Sequence, residues 1–131
     1  MLDMLESQVY TRIKTQFPSK LKEKYKNINF TTENKVDALP RFPTVYIHEM
    51  PGMETGADLQ GGTINAVWSS FQIEATTNTK QSDAKEVMDE VVKIMKKMRF
   101  QVISMPEFQN TDSIYRRVAR FRRIIGAGDV L

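Results

Sequence analysis

The chain has 131 residues, no cysteine and one histidine, and its 19 basic and 16 acidic residues leave a net charge of +3. One domain over 1–131 is the expectation at this length, and without cysteine there can be no disulfide, thiolate metal site or cysteine nucleophile, which fits assembly in a reducing, cytoplasmic setting. No apolar run approaches the roughly 20 residues needed to cross a bilayer, and the start "MLDMLESQVYTRIK" lacks the basic-then-apolar order of a secretory signal, so no membrane partner is expected.

Leu2, Leu5, Val9, Ile13 and Phe17 recur at three- and four-residue steps with charged residues between them, which predicts an amphipathic helix over about 2–17, ending near Pro18. The lysine-rich "SKLKEKYKNIN" that follows reads as a solvated connection. Ile28 and Phe30 alternate with asparagines, and "FPTVYIHEM" (42–50) is rich in β-branched and aromatic residues, so both are expected as strands. The stretch 51–66, with Gly52, Gly56, Gly61 and Gly62 spread through it, reads as one long flexible loop.

In "VWSSFQIEA" (67–75) the odd positions Val67, Ser69, Phe71, Ile73 and Ala75 are mainly apolar and the even positions mainly polar, the pattern of a half-buried strand. A second helix is predicted over about 82–98. Ser82 stands at its N-cap, Asp83 and Glu86 lie in the first turn, and Lys93, Lys96 and Lys97 lie in the last turns, each charge favourable to the helix dipole. Ala84, Val87, Met88, Val91, Met95 and Met98 form its apolar stripe, so these methionines are expected in the core. "FQVISM" (100–105) reads as a strand and "PEFQNTD" as the connection after it.

The C-terminal "SIYRRVARFRR" (113–123) holds five arginines and no acid. At helical period, residues 114, 118, 121 and 125 make an apolar stripe with Arg116, Arg120 and Arg123 exposed. At period two, Arg117 and Arg123 share a face with Tyr115, Ala119 and Phe121, while Arg116, Arg120 and Arg122 share the other with Ile114, Val118 and Ile124. Periodicity slightly favours helix and composition favours strand. A strand would carry arginine on both faces, so at least one face would need water or another subunit.

Chemistry is sparse. The single His48 rules out two-histidine metal motifs, and strand geometry would turn the adjacent Glu49 to the opposite face, so His48 reads as a strand residue and not a catalytic base. No G-x-S-x-G elbow is present. The glycines of "GADLQGG" and "GAGD" lack the spacing of phosphate-binding loops. Neither an enzyme nor a bound cofactor or metal is expected. The segment order predicts an α+β fold, a largely antiparallel or mixed sheet with two helices packed on one face and a long glycine-rich loop.

The succession "FPTVYIHE", a glycine-rich loop, "VWSSFQIEATTNTKQSDAKEVMDEVVKIMKKMRFQVISM" and "SIYRRVARFRRII" resembles the tail terminator (tail completion, or tail-to-head joining) proteins of long-tailed bacteriophages, over roughly residues 40–125. The resemblance implies a structural virion protein and a C-terminal strand over about 113–125. It further implies a homo-oligomeric, hexameric ring that caps the tail tube protein, stops polymerisation and docks a head-side stopper or connector. Genomic DNA would pass through the lumen without specific binding, and the protein would reside in the neck region of the virion tail after assembly in the host cytoplasm. On that resemblance Gly52, Met53, Glu54, Leu59, Gln60 and Ile64 of the loop are candidates for tube or subunit contact. Arg116, Arg117, Arg120, Arg122 and Arg123 are candidates for a subunit interface or the lumen, where the planar guanidinium fork would suit carboxylates. A stopper-like neck or minor tail protein and a small basic DNA-binding module are the alternatives.

Overall fold

The computed structural model of the chain describes residues 5–32, 42–57, 64–110 and 114–126. Helix α1 (Leu5–Gln16) leads into a short helix α2 (Ser19–Lys24) and strand β1 (Asn29–Thr31). Strands β2 (Thr44–Ala57) and β3 (Ile64–Thr77) follow, then helix α3 (Gln81–Lys97) and strands β4 (Gln101–Phe108) and β5 (Tyr115–Gly126). The strands form one sheet in the order β1-β2-β3-β5-β4. The β1–β2 pair is parallel and all others are antiparallel. The fold is α+β, as the segment order implies.

Alternation decides which face of the sheet is covered. Ser69, Phe71, Ile73, Ala75 and Thr77 of β3 are buried, as are Val45 and Ile47 of β2 and Ala119 and Phe121 of β5. Register brings these into rows, Ile47–Ile73–Ala119 and Phe71–Phe121 among them. Leu5, Val9 and Ile13 of α1 and Val87, Met88, Val91, Ile94 and Met95 of α3 join the same core. Each such side chain removed from water contributes about 1.5–3 kcal/mol, so the helices are held by their stripes rather than by propensity. Edge-on aromatic pairs, Phe71–Phe100 at 5.6 Å and Phe17–Phe30 at 5.4 Å, close the two ends of this core.

The end of α3 is set by main-chain geometry. Arg99 has φ 65°, its N–H donates to Lys96 O at 2.9 Å and the Phe100 N–H donates to Met95 O at 3.0 Å, the double bond pattern that closes a helix through a left-handed residue. A non-glycine residue there costs roughly 1–2 kcal/mol, offset by burying Phe100 beside Met95 and Met98. At the other end, Ser82 is not the N-cap. Lys80 occupies that position without a side-chain bond, and the first turn is tied instead through buried Asp83, which accepts from the Thr79 and Tyr25 hydroxyls.

Three segments differ from their sequence reading. The lysine-rich connection contains α2, because Leu21 and Tyr25, one turn apart, pack against the core while the lysines point outward. "PEF" continues β4, since an edge strand tolerates the missing N–H of Pro106 where the register shifts. The loop expected over 51–66 is mostly strand: β2 runs to Ala57 and β3 starts at Ile64. A register shift between Met50 and Met53 places Pro51 and Gly52 together opposite Ser69, so a bulge absorbs the proline that composition marks as a breaker. Leu59 and Gln60 lie outside the described residues.

Candidate interaction surface

The arginine run is a strand, and its alternation sorts the five side chains. Arg117 and Arg123 lie on the helix side; Arg116, Arg120 and Arg122 lie on the open side. Arg123 is buried and its Nη1 donates to Met98 O at 3.0 Å, so it satisfies an end carbonyl of α3. It is an internal structural residue, which removes it from the surface candidates.

On the open face, cross-strand register places Arg120 opposite Gln72, and Glu74 in the row between those of Gln72 and Arg116. The Arg120 Nε donates to Gln72 Oε1 at 3.0 Å, and the Gln72 Nε2 donates to Glu74 Oε2 at 3.4 Å. Arg116 Nε sits 3.3 Å from the other oxygen of Glu74, an ion pair without hydrogen-bond alignment. Arg116 is therefore largely neutralised within the sheet. Arg120 is exposed and anchored at one nitrogen, leaving its terminal donors for an incoming acceptor. Arg122, exposed, lies in register with Ser70 and Gln101. Tyr46 and His48 stack at 5.7 Å on the same face, and strand alternation puts Glu49 on the other face.

At one end the sheet outruns its helices. The Arg123–Met98 bond and the bond from Glu49 N–H to Glu6 Oε2 at 3.3 Å mark the level of the α3 and α1 ends. Beyond Ser69, the partner of Arg123 in register, β3 extends back to Ile64, about 16 Å further at the usual strand rise. It is flanked there by β2 from Met53 to Ala57 and by β5 to Gly126. This three-stranded arm carries Gly52, Met53, Glu54 and Ile64 of the expected contact set.

Both sides of the arm lack a strand neighbour among the described residues. Strand β1 covers β2 only from Thr44 to Tyr46. Pro43 O accepts from Asn29 N–H and Glu49 N–H meets Glu6, so odd-numbered main-chain groups face outward on this part of β2. Past the bulge the parity changes, and Glu54 and Gly56 face outward. On the far side β4 covers β5 only between Arg117 and Arg122, leaving the outward groups of Ile124 and Gly126 unpaired by strand.

Sequence reasoning missed the groove beside α3. Arg117 stacks on Phe108, guanidinium carbon 4.2 Å from the ring centroid, and lines a shallow groove of about 680 Å³ with Ser82, Lys85, Asp89 and Lys93. A helix stripe and a strand alternation give no hint of their junction. Compared with models of known protein families and with curated proteins, the chain matches none.

Proposed function

We propose that this chain is a non-catalytic structural subunit that assembles head to tail into a closed ring, hexameric by its resemblance to tail terminators. The ring caps the tail tube of a long-tailed bacteriophage, halts its growth and offers the joining surface for a head-side stopper or connector. Genomic DNA crosses the lumen unbound, and the site of action is the virion neck. The observation that carries this reading is the arm: three antiparallel strands whose two edges have no strand partner among the described residues. A long open edge is a liability in a monomer. Two arms side by side satisfy it, the Glu54 and Gly56 edge of one against the Ile124 and Gly126 edge of the next. A contact between two different edges, repeated by rotation, closes into a ring, and joined arms close into a barrel.

A groove-reading DNA module has less support. Residues 115–126 are strand and not helix, and only three of the five arginines lie on the open face, one of them held by Glu74. Electron microscopy of tails assembled with and without the protein tests the role. Tubes of uncontrolled length without heads are expected in its absence; tails of normal length joined to heads would refute it.

A further inference from the structure

Arg116 and Arg117 each bury an Nε that makes no hydrogen bond, but Arg116 has the Glu74 carboxylate 3.3 Å away, whereas Arg117 is paired with no carboxylate among the described residues. The Arg117 guanidinium is instead fixed against Phe108 at 4.2 Å. Desolvating one nitrogen of a cation without a partner is unfavourable, while the side chain still reaches the groove beside α3. The stacking also removes the rotamer entropy that an arginine ordinarily loses on gripping a ligand.

The groove has a mixed lining, and three of its six charged residues, Glu86, Glu90 and Lys93, are already paired. Glu86 is bonded to Lys24 at 2.9 Å and to the Tyr25 hydroxyl at 2.7 Å. Glu90 is bonded to Lys93 at 3.1 Å. That leaves Arg117, Lys85 and Asp89 among the lining residues, two positive charges and one negative. A single carboxylate fits this balance. A polyanion does not, because two unpaired cations cannot compensate its further charges while Asp89 repels them.

We infer that this groove is a binding site for an acidic side chain of a partner protein, its carboxylate taken by the terminal nitrogens of Arg117 with Lys85 beside it. Half-buried Val92 offers the apolar floor for the stem of that side chain. The site is separate from the arm and does not depend on the capping role: it is expected whether or not the chain caps tails.

Nuclear magnetic resonance tests it on the whole protein, because a buried Arg Nε–H exchanges slowly enough to be followed. N-acetyl-glutamate α-amide is expected to shift the Arg117 Nε–H and the backbone amides of Ser82, Lys85 and Asp89 in a saturable way. The glutamine analogue should bind at least fivefold more weakly. Arg117→Lys should lose the response at the amides, Arg120→Lys should keep it, and Asp89→Asn should tighten it several-fold, a gain that misfolding cannot imitate. Equal response to the glutamine analogue, retained binding in Arg117→Lys, or tighter binding of inorganic phosphate than of the glutamate probe would overturn the proposal. Tail capping by a variant that no longer binds the probe would leave the function proposed above intact, so the two stand or fall separately.

Discussion

Arg123 and Arg120 are three positions apart on β5 and do opposite work. The first is buried and completes the end of α3; the second is exposed on the open face and held at only one nitrogen. Replacing Arg123 with methionine keeps the bulk but leaves Met98 O without its donor, a loss of about 2 kcal/mol in chemical denaturation, with no direct effect on self-association. Arg120→Met is expected to do the reverse, changing stability by less than about 0.5 kcal/mol while weakening any contact made by the open face. Equal stability losses in the two variants would contradict this division. The sequence could state the two candidate faces but not which of them was covered, because five arginines occupy both alternation classes and only the register against β3 assigns them.

At the scale of elements, what was legible tracks the length and amplitude of each pattern. The stripe of α3 spans 17 residues and the alternation of β3 is uninterrupted from Ser69 to Ala75, so neither needed tertiary information. Helix α2 has six residues and its signal is Leu21 and Tyr25 among lysines, too short a window for any period to emerge. The arm was obscured by Pro51 and its glycines, which mark loops in most contexts and here sit at a bulge and along an extended ribbon. The groove was invisible because Phe108 and Arg117 meet only across two strands. The docking of α2 also has a pH signature. Glu86 is held below its ordinary value of 4.5, first by the hydrogen bond from Lys24 and then by that from the Tyr25 hydroxyl. A carboxyl depressed in the fold stabilises it above the unfolded value, and the contribution is lost as pH falls through 4.5 toward the lower folded value. The melting temperature should therefore drop more between about pH 5 and about pH 3 in the native protein than in Glu86→Gln. Parallel acid profiles would show that the contact does not titrate with folding.

For the whole molecule, the decisive asymmetry is between its helix-backed body and its bare arm. Proline at Glu54 or at Ile124 removes an outward N–H from one edge or the other while leaving the inward pairing of β2 with β3 and of β5 with β3 in place. Each variant alone is expected to fold with unchanged circular dichroism and, if the proposed ring forms through the arms, to lower its population, read by native mass spectrometry, at least tenfold. Proline at Met53, whose pairing is inward, should instead destabilise the hairpin itself. Undiminished rings in both edge variants would mean that the subunits meet elsewhere. Strand β4 contributes the complementary restraint. Its two register shifts and Pro106 break the regular main-chain spacing along the body's outer border, so in the proposed ring this border would offer a neighbour no regular strand edge. An annulus built as proposed, joined through its arms, would be continuous at its hub, and its projected outline would be scalloped rather than smooth.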